Sequence, residues 1–332
     1  TSPNAPSNTD VLGTWLLAIL AGHNRYAHIT GLRGDGVSAQ ILGMDKIISE
    51  DALRRAITCL SDAGGQSWLR SHLLGSAQAA LDTPWILDID TTIKPLYGKQ
   101  EGAQVSYNPK KPGRPSHALH TYWVANLRLV LDVIVSPGKS HSAGKALPGL
   151  TEILDQLQPQ QRPALVRGDC GFGNEPFIAE LEERNQTYLF KLRQTAGVKK
   201  LLSRQFARDD WSTPGPADQG WSAVEDTLKL SGWEKARRVI VLRRAVKSDL
   251  VLSRKAQPSS DELPRLSEWG EQIELLMPDK DVQAWEYAVL VTNSAYPLAA
   301  FGQLYRDRAD CENGFDELKN QWGWGGFTTQ DI

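Results

Sequence analysis

Residues 85–92 read WILDIDTT, an apolar run that carries Asp88 and Asp90 two positions apart. In a strand, residues i and i+2 share a face, so one face of this segment is apolar and the other acidic. Burying a carboxylate without a partner is costly. The strand therefore belongs where its acidic face meets a cation, a metal or a cleft. A second apolar segment, PALVRGD at 163–169, also ends in an acid, and Gly171, Gly173 and a helical pattern over 175–185 follow it. Carboxylates just past strand ends are where open α/β sheets receive ligands. An Asp there also serves as a turn or helix cap, and both readings of Asp169 stand.

The neighbouring pattern supports an α/β sheet. Two strand-like runs within 119–136 predict a three-stranded meander with 85–92. A helix is expected at 142–157, a strand at 187–193, a basic helix at 196–208 and a strand at 286–293. Upstream, residues 1 to about 10 are polar and Pro/Asn/Ser-rich and read as a disordered or linker end. The segment 11–81 reads as helical, with Ser49 the N-cap of EDALRRAITCL and a further helix at 67–81. Residues 209–284 break the pattern with turn formers and β-rich runs such as RRVIVLRRAV, and read as a β-rich insertion.

A chain of 332 residues with 41% hydrophobic content suits one large or two medium domains. Its most apolar stretch, 11–22, is too short to span a bilayer, and no basic segment precedes it to make a secretory signal. Cys59, Cys170 and Cys311 form no CxxC pair, which fits a reducing cytoplasm, and Cys170 and Cys311 read as small buried neighbours of the acids beside them. His117 and His120 lie at a spacing that puts them on opposite faces of a strand, so no metal pair is expected from them.

Residues 304–322, LYRDRADCENGFDELKNQW, hold the most telling helical pattern. At about 100° per residue, Tyr305, Arg308, Glu312 and Lys319 fall within roughly 60° of one another. An apolar stripe of Leu304, Cys311, Phe315, Leu318 and Trp322 lies beside them, with Asp307, Asp310, Asn313 and Glu317 pointing to solvent. Polar groups bordering a buried face suggest a cleft. An i,i+4 Arg–Glu pair worth about 0.2–0.5 kcal/mol is the plainer reading.

The spacing Tyr-x2-Arg-x3-Glu-x6-Lys resembles the signature of bacterial insertion-sequence transposases, DDE enzymes with a ribonuclease H-like core. The likeness is to the subgroup named for this Tyr-Arg-Glu-Lys set in the insertion-sequence-4 superfamily, nearest its insertion-sequence-1380 group. It implies that Glu312 is the third metal-binding carboxylate and that Tyr305, Arg308 and Lys319 contact phosphates of the transposon end. It gives the first carboxylate to Asp90 in Asp-Thr-Thr, with Asp88 the weaker option, and the second to Asp169. The Gly/Pro-rich loop 94–114 is similar to the family's GxQEGAxxGYNP stretch, with Ser106 where the third Gly is usual. Lys99, Lys110, Lys111 and Arg114 there supply positive charge beside Asp90, and Trp285 and Tyr287 are candidates for stacking on an unpaired base.

The resemblance implies a mixed sheet flanked by helices and divided into four parts. These are an N-terminal helical region (1–82), the first part of the catalytic core (83–208), the insertion (209–284), and the last strand with the signature helix (285–332). Three converging carboxylates favour Mg²⁺, with Mn²⁺ as substitute, and two ions about 3.5–4 Å apart serve in-line phosphoryl transfer. The expected partners are DNA (terminal inverted repeats and target) and a second copy on that DNA, with no membrane role and a cytoplasmic, nucleoid-associated location. The chain is expected to be truncated at both ends relative to such enzymes. A catalytically inactive DNA-binding remnant and a metal-dependent phosphoester hydrolase remain alternatives. The net charge of −2 does not exclude DNA binding, because counterion release depends on local clusters. Residues 184–208 carry seven Arg and Lys and no acid, and 235–255 carry eight with Asp249 the only acid.

Overall fold

The computed structural model describes residues 5–246 and 285–321, apart from 107, 109, 110, 126, 141, 216 and 217. Ser7 caps the first helix, α1 (Asn8–Leu20), by accepting from the Asp10 N–H. The helix thus begins inside the expected linker end. The buried Asp10 carboxylate accepts from the N–H groups of Asp45 and Lys46, which fastens the helix to the chain ahead of Ser49. Short helices α2 (Ile29–Leu32) and α3 (Gly36–Ile41) precede α4 (Glu50–Thr58), which Ser49 caps as expected. These elements bury a small core of their own around Ile29, Met44, Ile48 and Leu53. The longer α5 (Asp62–Leu81) instead packs on the sheet. No helix among the described residues is long and apolar enough to cross a membrane.

The strands are β1 (Ile86–Pro95), β2 (Gln104–Val105), β3 (Pro115–Val124), β4 (Leu129–Pro137), β5 (Leu165–Gly168), β6 (Tyr188–Lys191), β7 (Trp221–Leu228), β8 (Arg237–Ala245) and β9 (Trp285–Thr292). They form one sheet in the order β2-β3-β1-β5-β6-β9-β8-β7, with β4 also paired to β3. Within β4-β3-β1-β5-β6 only β3 runs against the others. An antiparallel meander followed by two parallel strands reached through helices is consistent with the ribonuclease H-like core that the resemblance implies. The crossovers are α6 (Ser142–Gln156) and α7 (Glu175–Glu183), and α8 (Ala196–Gln205) follows β6.

Strand alternation then assigns the two faces. Leu87, Ile89, Val166, Phe190, Val239 and Val291 share a core with side chains of α5 to α8. The opposite face carries Leu165, Leu189, Ile240, Leu242 and Leu290 and is covered by Phe301. Each such large apolar side chain, once fully buried, stabilises by about 1.5–3 kcal/mol.

The structure adds to one expectation and changes another. The described part of 209–284 forms β7 and β8, and both extend the core sheet through β9. Antiparallel pairing across a long connection leaves no local sequence mark. The signature segment is also not one helix. It divides into α9 (Ala300–Arg306), α10 (Ala309–Asp316) and a π-helical turn (Glu317–Gln321), and Trp322 lies outside the described residues.

Candidate active site

β1 lies between β3 and β5, so its acidic residues sit in mid-sheet. Asp88 and Asp90 share the face covered by α9 and α10, as alternation requires. Asp88 is fully buried and directly opposite Arg167 in the parallel register. Arg167 Nε donates to Asp88 Oδ1 at 2.6 Å and Nη2 to Oδ2 at 2.7 Å. Asp88 is thereby committed to a core ion pair. Two residues on, the Asp90 side chain is 16% exposed. Its Oδ1 accepts the Thr91 N–H at 2.8 Å, and its Oδ2 accepts from Arg308 Nη1 at 3.4 Å. Burial pushes the Asp90 carboxyl up to about 7, with Asp169 and Glu312 adding to the rise and Arg308 opposing it.

Asp169 stands one residue beyond β5. Its Oδ1 accepts the Gly171 N–H at 2.7 Å, a turn contact, while Asn174 caps α7 by accepting from the Phe177 N–H. The helix-cap reading of Asp169 therefore fails and the turn reading holds. Its field also acts on Asp90, Tyr305 and Arg308. Glu312, on the first turn of α10, has a side chain 57% exposed and accepts from Arg308 Nη2 at 2.7 Å. Arg308 is thus shared by Asp90 and Glu312. Burial alone would depress its guanidinium, but Tyr305, Asp90, Glu312 and Asp169 outweigh that and hold its pKa above the usual value. The Tyr305 ring lies 5.8 Å from the guanidinium carbon, and burial pushes the Tyr305 hydroxyl up.

The remaining signature residue, Lys319, donates from Nζ to Thr92 Oγ1, two residues beyond Asp90. It arrives there from the π-helical turn, which alters the spacing of a regular helix. Below it, Cys311 and Phe315 pack on Trp123, with the Phe315 and Trp123 rings edge to face at 5.3 Å. Asp310 and Glu317, expected in solvent, instead hold Arg128.

In the 94–114 loop, Lys111 and Arg114 lie over the Tyr97 ring at 4.7 and 4.4 Å, and Lys99 is exposed. Lys110 lies outside the described residues. A cavity of 820 Å³ is bounded by Asp169, Arg308 and Glu312 and by Lys191, Arg193, Trp221 and Tyr287. Trp285 does not line it. Its face is taken by Arg243, which is sandwiched at 4.4 Å from Trp285 and 3.9 Å from Trp211. Trp221 was not singled out from sequence, since nothing local reveals that β7 borders the site.

The basic clusters are largely used internally. Arg237 is buried between Glu175 and Glu182, Arg238 pairs with Glu225, and Arg244 with Glu286. Lys199 and Lys200 are exposed on α8.

Asp90, Asp169 and Glu312 supply hard oxygen donors of the kind that suits Mg²⁺ or Mn²⁺. Among the described residues no three His, Cys, Asp or Glu side chains are grouped as a ready metal site. Arg308 sits between two of the three carboxylates and offsets part of their charge. Three carboxylates around one guanidinium remain net acidic, and in that respect the donor set fits a divalent cation.

Residues 82–330 match the family described as "Transposase DDE domain". A comparison with curated proteins gives no match. Among solved structures, the chain is similar to a piggyBac transposase in a synaptic complex with hairpin DNA, at 13% identity and a TM-score of 0.45. That likeness covers 98% of this chain and 61% of the other, so the chain spans about three fifths of that protein's length.

Proposed function

This chain belongs to the transposase DDE domain family, and we propose that it acts as a DNA transposase, cleaving strands at transposon ends and joining the freed 3′-OH to target DNA. The observation that carries the reading is the Arg308 bridge: one arginine of the signature segment holds the first carboxylate, Asp90, and the third, Glu312. Asp169 adds its charge from the end of the neighbouring strand. The matched region spans all three.

In this reading Asp90, Asp169 and Glu312 would hold Mg²⁺ or Mn²⁺, which when bound activates the attacking hydroxyl and stabilises the leaving oxygen. The protein's own groups do the rest. Asp90, at about 7, is ready to give up its proton near neutrality. Arg308 turns from the carboxylates to a phosphate, for which its planar fork is suited. Tyr305 and Lys319 flank it along the same segment, Lys99, Lys111 and Arg114 of the 94–114 loop follow the DNA backbone, and Lys110, outside the described residues, belongs to the same reading. Trp221 and Tyr287 offer aromatic surface in the cavity; Trp285 reaches a base only by displacing Arg243. The four-part division of the chain and a dimer on DNA belong to the same reading.

The test uses supercoiled plasmid with Mn²⁺ for nicking and a gel shift in Ca²⁺ for binding. Glu312→Gln should lose nicking by at least 100-fold and keep binding within threefold, since Glu312 is exposed and its removal leaves the core intact. Equal loss of both counts against a metal role. Binding without nicking by the unaltered chain would favour the inactive remnant, and nicking without salt-dependent binding the hydrolase.

A further inference from the structure

Arg167 is fully buried beneath the site and does not line the cavity. Two of its bonds go to Asp88, and the third, from Nη1, goes to the backbone carbonyl of Leu304. In an uninterrupted α-helix that carbonyl would accept from the Arg308 N–H. Here the Arg308 N–H reaches the Tyr305 carbonyl at 3.3 Å, and the helix resumes at Ala309. The step is of the tighter i→i+3 kind, which turns about 120° per residue instead of 100°. Over Asp307 and Arg308 this rotates everything downstream by about 40° relative to a regular helix. Tyr305 lies before the step and Glu312 after it.

The geometry points to Arg167 as a positioning residue for the three-carboxylate site. Anchored by Asp88 in β1 and rooted in β5, it takes the Leu304 carbonyl out of the helical ladder and stabilises the step. Arg308 and Glu312 are thereby aimed at Asp90. The bidentate pair with Asp88 leaves the buried Nη1 donors over, and the acceptor they take is the one carbonyl that a regular helix would have given to the Arg308 N–H. The catalytic consequence rests on the proposed strand cleavage; the placement of the helix does not.

The experiment uses the full chain and two variants. Arg167→Lys keeps a charge against Asp88 but lacks the planar fork needed to hold Asp88 and Leu304 together. The double variant Asp88→Leu with Arg167→Leu leaves no unpaired buried charge, a replacement that buried ion pairs often tolerate. Both should melt cooperatively. In both, hydrogen exchange of amides 305–312 should be at least tenfold faster, with strands β1 and β5 unchanged. Nicking at saturating DNA with Mn²⁺ should fall at least 30-fold, with half-saturating DNA within threefold of the unaltered chain. Exchange at 305–312 as slow as in the unaltered chain would overturn the positioning role, whatever the activity. Loosened exchange with nicking within threefold would overturn its catalytic consequence. If the unaltered chain does not nick, the proposed function fails, and the exchange data still decide the placement.

Discussion

Replacing Asp90 by Asn keeps the size of the side chain and its bond from the Thr91 N–H, but removes a carboxyl that burial, Asp169 and Glu312 hold at about 7. The ordinary value is 3.8. A carboxyl whose folded pKa is raised gives most stability below its unfolded value, and that stability is lost as pH rises through the folded value. At about 1.4 kcal/mol per pH unit, the raised pKa costs the fold ~2 kcal/mol at pH 5, where the folded carboxyl must take up a proton, and ~4 kcal/mol at pH 8, where it is mostly ionised. Asp90→Asn is therefore expected to be more stable than the unaltered protein in metal-free buffer, by a margin that widens over this range. Arg308 retains Glu312 as partner in the variant. The assay is urea unfolding in EDTA at pH 5 and pH 8, with midpoints compared at constant slope. Adding Mn²⁺ should raise the midpoint of the unaltered protein and not that of the variant, narrowing or reversing the order. A variant less stable at pH 8, or a gain that shrinks as pH rises, would refute the reasoning.

Other outcomes follow from contacts away from Asp90. Gly314 lets α10 approach the Trp123 ring, where an added Cβ would lie 3.1 Å from it; Gly314→Val should cost about 1–3 kcal/mol by overpacking and reduce nicking, read by thermal unfolding and the plasmid assay. Burial alone would raise Glu182, but Arg237, Lys235 and Tyr188 hold it at about 2 instead of 4.5. Its contribution is full above pH 4.5 and is lost on acidification toward 2, so Arg237→Met should cost about 3–5 kcal/mol near neutrality and flatten the acid limb of a melting profile. Lys319→Gln should weaken DNA binding across sequences and lower the slope of log affinity against log salt by about 1, measured by fluorescence anisotropy; an unchanged slope would remove Lys319 from the phosphate path.

The core strands were legible because each carries its own signature. Alternation placed Asp88 and Asp90 on one face, and the strand-then-Gly pattern placed Asp169 just beyond β5. The cause of the break in the signature helix was not legible. It is Arg167, which lies 137 residues from Leu304, and helical periodicity carries no trace of such a partner. Distance along the chain also gives no sign that Arg243 lies over the Trp285 ring, since that cross-strand neighbour is set by the register of β8 on β9. The basic runs announced charge but not its destination: Arg237, Arg238 and Arg244 meet acids on other elements, α7, β7 and β9.

Ala245 at the end of β8 and Trp285 at the start of β9 are register partners. The connection between them therefore leaves and re-enters the sheet across a single strand spacing, about 4.8 Å. The entropy of closing a chain across so narrow a mouth grows only slowly with its length, by about 0.6 kcal/mol for each doubling. The same two strands present Leu242, Tyr287, Ala288 and Val289 to the cavity. The mouth of the connection therefore belongs to the same pair of strands that forms one wall of the cavity.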